Sequence, residues 1–250
     1  MFRIASLILL LLLLLPCFSA LAQTRATGSA FDLQAANGIS FNVEQGQYQA
    51  KGDVQLVVQD WVVLADEMVA RLNVQRDAIV SLHATGQVFV QQGEFKARGS
   101  VLNLNLSQEI VDLTGAPTTL QFRDDRLVTD GPVAFSLTDE RLDVAQDFAL
   151  TLDGIVLSGR RLQATLGNQQ LDTLAVAGNV NVERGALRAG GETLSYARAD
   201  NVLRLSGAVV VQNAGVLLSG SSATYDVATG ALSLKNNGEE QRVSGALNFQ

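Results

Sequence analysis

Gly178-Asn179-Val180-Asn181-Val182 opens a stretch that turns at Gly185 and returns as Leu187-Arg188-Ala189-Gly190. It ends at Leu203-Arg204-Leu205-Ser206-Gly207, and Gly207-Ala208-Val209-Val210-Val211 starts the pattern again. Apolar and polar residues alternate inside each segment, which is the period of a half-buried strand. Gly, Asn and Asp stand where the alternation stops, as turn residues do.

The same marks recur upstream. The opening appears as Gly52-Asp53-Val54-Gln55-Leu56 and Gly86-Gln87-Val88-Phe89-Val90. The returning segment appears as Val63-Leu64-Ala65-Asp66, Phe95-Lys96-Ala97-Arg98, Leu127-Val128-Thr129-Asp130, Val156-Leu157-Ser158-Gly159 and Leu217-Leu218-Ser219-Gly220. Its third column falls at 65, 97, 129, 158, 189 and 219, with spacings of 32, 32, 29, 31 and 30, and Leu33-Gln34-Ala35-Ala36 is a seventh copy. A fixed period of about thirty residues marks stacked units that cannot bury their apolar faces alone. The expected fold is therefore all-β: an elongated, mostly antiparallel body of such units, each with about three short strands turned at Gly and Asn. Its end strands would leave backbone groups unpaired. Pro117 and Pro132 flank the charged run Arg123-Asp124-Asp125-Arg126. Residues 115–135 are read either as a bend between two half-domains or as a surface excursion on one continuous body.

Met1-Phe2-Arg3 is a short positive segment, Ile4 to Leu15 is almost purely apolar, and Ala20-Leu21-Ala22 is a small-x-small site. This reads as a signal peptide over 1–22 and a mature body over 23–250, exported to the periplasm. The apolar run falls short of the roughly 20 residues that a membrane span requires. Cleavage after Ala22 removes the one cysteine, Cys17, so neither disulfides nor thiolate ligands are expected. A net charge of -7 argues against nucleic acid as a partner.

Little in the chain suggests catalysis. The one histidine, His83, is out of phase with Leu82 and reads as an outward strand position. No nucleophile motif accompanies it. Asp124-Asp125 is flanked by arginines, which weakens a hard-cation site. Gly190-Gly191 lacks the Lys-Ser/Thr ending of a phosphate loop and reads as a structural turn. Trp61 reads as a core or rim aromatic. No catalytic residue, metal or cofactor is expected.

What remains is the apolar interior. Val54, Leu56, Val88, Val90, Val180, Val182, Val209 and Val211 share one phase and are expected to line it. An open trough would take something long and apolar such as acyl chains, since each buried methylene contributes about 0.8 kcal/mol. A closed, self-filled interior would suit a structural or interaction protein of the envelope.

The leader, Phe31-Asp32-Leu33-Gln34-Ala35, the Gly-Asp-Val-x-Leu-Val-Val opening at Gly52 and Leu64-Ala65-Asp66-Glu67-Met68-Val69 together resemble the LptA/OstA-like family. Its members are periplasmic bridge proteins of lipopolysaccharide transport. The resemblance covers most of residues 28–235. It implies a β-jellyroll bent into a taco-like trough that shields lipid A acyl chains on the way from inner to outer membrane. It also implies end-to-end homo-oligomers and joining to LptC-like and LptD-like partners of the same fold through edge strands. Lysines are sparse, with only Lys51, Lys96 and Lys235. Contacts to headgroup phosphates would then fall to Arg71, Arg98, Arg188 or similar residues.

Overall fold

The computed structural model describes residues 31–152, 154–167, 170–213, 215–236 and 244–247. The segment expected to be a signal peptide, residues 1–22, lies outside the described residues. Every regular element among those described is a β-strand, and every pairing is antiparallel. The short strands β1 (Asp32–Gln34) and β2 (Ile39–Asn42) lead into β3 (Gln47–Val58), β4 (Trp61–Leu72), β5 (Ile79–Gln92) and β6 (Phe95–Asn105). Short strands make up the middle: β7 (Ile110–Thr114), β8 (Thr118–Phe122), β9 (Asp125–Thr129), β10 (Val133–Ser136), β11 (Arg141–Val144), β12 (Phe148–Leu152), β13 (Ile155–Gly159) and β14 (Arg161–Gly167). Long strands return as β15 (Gln170–Arg184), β16 (Leu187–Ala197), β17 (Val202–Asn213) and β18 (Val216–Asp226). The body closes on β19 (Leu232–Lys235) and β20 (Ser244–Leu247).

Each long strand is bent. Pairing of β3 with β4 shifts register between Lys51 and Val54, that of β5 with β6 between Thr85 and Val88, and that of β15 with β16 between Ala177 and Val180. Ile79 and Leu82 of β5 line the same cavity as Val90 of that strand, and Leu102 of β6 lines it with Phe95 and Ala97. A strand whose two halves border one space must fold over at the bulge between them. The result is two facing sheets joined along a crease. The first face runs β1, β3, β4, β5, β6, β8, β9, β12, β13, β15, β16, β17, β18, β20. The second runs β2, β3, β4, β5, β6, β7, β10, β11, β14, β15, β16, β17, β18, β19.

A thirty-residue unit is therefore two long strands that cross the crease, not three strands divided by turns. The Gly-x-Val opening sits on the crease. Gly207 takes φ 84, and a Cβ there would lie 2.5 Å from Cβ of Glu192 on the neighbouring strand, so only glycine suits both the backbone and the space. Gly93, Gly185 and Gly215 make the hairpin turns at the far rim.

The recurring small residue is displaced from where the sequence pattern puts it. Val54 pairs with Ala65, Val88 with Gly99, Val180 with Gly191 and Val209 with Gly220. The column at the crease is thus 65, 99, 191 and 220, whereas the sequence spacing places the recurring small residue at 97, 189 and 219. Ser158 and Ser219 pair with the outward Ala149 and Val210 and so point away from the core. A bulge adds one residue locally, and a pattern read without it slips by one or two positions.

Gly190-Gly191 likewise lies inside β16 rather than at a turn. A Cβ on Gly191 would stand 2.9 Å from Cγ of Leu205 on the opposite face, whereas the nearest atom to one on Gly190 is 3.6 Å away. Gly191→Val is expected to lower stability by about 1–3 kcal/mol through overpacking, with Gly190→Ala much milder. Urea midpoints at unchanged m-value check this.

Pro117 and Pro132 also stand at the crease, between β7 and β8 and between β9 and β10, where the chain is cut rather than bulged. A residue without an N–H fits where the ladder is interrupted. Arg123-Asp124-Asp125-Arg126 spans the rim hairpin joining β8 to β9. Pairing runs unbroken past these residues, through β6, β7, β10 and β11 on one face and through β6, β8, β9 and β12 on the other.

Candidate functional site

The inward rows of the two faces converge at the crease and diverge toward the rims. Val54, Val88, Val180 and Val209 follow directly after the crease and are at most 2% exposed, packed wholly against protein. Leu56, Val90, Val182 and Val211 lie two residues further out, and each lines a groove between the faces. The eight residues singled out from the sequence all join the interior, but as two sets: four that seal the crease and four that form groove walls.

The first groove, of about 110 Å³, is partly open to solvent and is bordered by strands from β3 to β10. Trp61 and Phe95 meet edge to face in it, with ring centroids 6.2 Å apart. Gln59, at the hairpin between β3 and β4, is the one polar residue of its lining. Because the groove is partly open, water reaches its apolar walls when it is empty, and an apolar guest would cover them.

The second groove, of about 60 Å³, runs from β13 to β19 and is also partly open. Leu187, Ala189, Leu194 and Leu205 help to line it, and Arg184 and Tyr225 stand at its mouth. Arg184 continues the inward row Val180, Val182 to the rim of the first face. Tyr225 continues the row of Ala223 to the rim of the second. The guanidinium Nη1 donates to the Tyr225 hydroxyl at 3.4 Å, across the groove. Asp226 is next in sequence, but its carboxylate accepts from the backbone N–H groups of Thr229 and Ala228, each at 2.9 Å. The Thr229 bond above all holds that carboxyl below its usual range.

Between the grooves stands a block of buried side chains. Leu127, Leu142, Val144, Phe148, Leu150 and Leu162 are buried and line neither space. They come from β9, β11, β12 and β14, where strands are short and the crease is cut.

The other candidates named from the sequence fall elsewhere. His83 is exposed, with Nδ1 2.6 Å from Asn103 Oδ1 on the adjacent strand, in the outward position expected of it. Trp61 is a groove-wall aromatic, buried but for 8%. Arg71, Arg98 and Arg188 alternate with the inward Ala70, Ala97 and Ala189 and project from the outer surfaces. Arg98 lies over the Phe89 ring, 4.8 Å from its centroid, and Arg188 pairs with Glu183 at 4.0 Å. The inward-facing cation of the second groove, Arg184, was missed because a charge at the end of an apolar row reads as a solvated rim. Among the described residues no cluster of His, Cys, Asp and Glu could hold a metal ion.

No family model matches the sequence, and no curated protein matches it. Among solved structures, the crystal structure of LptH, the LptA homologous periplasmic component of the lipopolysaccharide transport device of Pseudomonas aeruginosa, is 12% identical. The alignment covers 88% of this chain and 99% of that one, with a TM-score of 0.22.

Proposed function

We propose that the protein is a periplasmic carrier that shields acyl chains between its two faces, as a bridge protein in lipopolysaccharide transport. One observation carries this reading: two apolar grooves, each partly open to solvent, lie between the faces. Apolar walls that meet water have much to gain from covering an alkyl chain. The sequence resemblance narrows the chain's source to lipid A. The filled block around Phe148 favours the structural reading for the middle of the body alone. The two halves suggested by the proline pair are proposed as one groove each.

Partners would join at the sheet ends. β2 pairs with β3 alone, and β19 and β20 each pair with β18 alone, so among the described residues these strands carry unpaired edges. Such edges accept a further strand. The expected partners are proteins of the same fold, LptC-like and LptD-like, or further copies of this chain.

Trp61, the one tryptophan of the sequence, reports on the first groove directly. Protein purified from a Gram-negative periplasm should carry lipid A detectable by mass spectrometry. Stripping the lipid should shift Trp61 emission to the red as water enters. Protein that emerges lipid-free, with Trp61 emission unmoved by added lipopolysaccharide or dodecanol, would overturn the carrier reading.

A further inference from the structure

We infer that the second groove is a distinct site for an anionic amphiphile, with the alkyl chain between the faces and the charged end held by Arg184 and Tyr225. This rests on the carrier reading and adds a polarity to it. The two grooves differ in their mouths. Trp61, Ile79, Leu104 and Val111 help to rim the first, and it holds no charged side chain. The second ends in a guanidinium and a phenol contributed by opposite faces, 41 residues apart in sequence.

The guanidinium is exposed at the groove mouth and lightly engaged by protein. Among the described residues Arg184 has no carboxylate within ion-pair distance, in contrast to Arg188, Arg141 and Arg204. Its one hydrogen bond is the 3.4 Å contact to Tyr225, long for a charged donor. Asp226 is committed to its own turn. Among the described residues the remaining donors of the fork have no protein acceptor, and they stand beside an apolar groove, which suits an oxyanion tethered to a chain lying on Val182, Leu187 and Leu205. A carboxylate or phosphate end group would serve equally. A free phosphate would leave the apolar walls uncovered, so the inferred ligand is the amphiphile. The buried block around Phe148 stands between this site and the first groove, and the two sites are expected to load independently.

Calorimetric titration of the mature protein with dodecyl phosphate, dodecanol and inorganic phosphate tests this, with Trp61 emission recorded in parallel for the first groove. Arg184→Gln should weaken dodecyl phosphate binding about tenfold or more, as loss of a charge-assisted hydrogen bond does. It should leave dodecanol binding and the Trp61 response unchanged. Equal dodecyl phosphate affinity in wild type and Arg184→Gln would overturn the inference while leaving the carrier reading standing. So would inorganic phosphate binding as tightly as dodecyl phosphate, which would mark a simple anion site. Absence of binding by either alkyl compound, with Trp61 silent, would sink the carrier reading as well.

Discussion

Val180→Asp and Val182→Asp, two residues apart on β15 and both inward, are expected to fail in opposite ways. Val180 is 1% exposed at the crease, where Gly191 is its cross-strand partner and the faces touch. A carboxylate there has neither water nor a partner, and even protonated it leaves polar oxygens in an apolar setting. The cost is several kcal/mol, enough to unfold much of a marginally stable domain. Val182 is only half-buried and faces the second groove. Its carboxylate can hydrate in the empty groove, or stay neutral through a raised pKa. Thermal melting should therefore collapse for Val180→Asp and stay near wild type for Val182→Asp. Amphiphile binding in the second groove should be lost in Val182→Asp although the protein remains folded. A Val182→Asp protein that melts as early as Val180→Asp would mean that the groove is closed in solution, and the self-filled interior would be the better account.

Phe148→Ala carries the second large effect. Phe148 is 5% exposed and pairs across strands with Thr129 on one side and Gly159 on the other. Truncating a buried phenylalanine costs about 3–5 kcal/mol, the lost transfer energy plus that of the cavity left behind. The residue also stands in the filled block that parts the two grooves. The variant should show a lower urea midpoint and, if it is kept folded at low temperature, coupling between the grooves. Trp61 emission would then respond to ligand added to the second groove. In the wild type it should not. A loss of less than about 1 kcal/mol would mean that the block is not close-packed and that the grooves are already continuous.

These contrasts show how far the residues could be read in one dimension. Strict alternation around Val54, Val88, Val180 and Val209 determined that the chain is all-β and which row of each strand turns inward, because strand side chains have a period of two whatever the tertiary context. The thirty-residue recurrence determined that the units stack, since no single unit has enough apolar surface to fold alone. The glycine before those valines marks an interruption in the pattern that reads as a turn between short strands, and only the pairing shows it as a bend within one long strand. Alternation carries no information about the separation of two sheets, so only the tertiary structure decided that Val180 is sealed and Val182 borders a groove. The bulges shifted the crease column from 97 and 189 to Gly99 and Gly191, because an inserted residue changes pairing without interrupting the apolar pattern. Arg184 and Tyr225 belong to different units on different faces. Their meeting across the second groove depends on the whole strand being folded over at Gly178 and Gly220, a long-range geometry that no local pattern encodes.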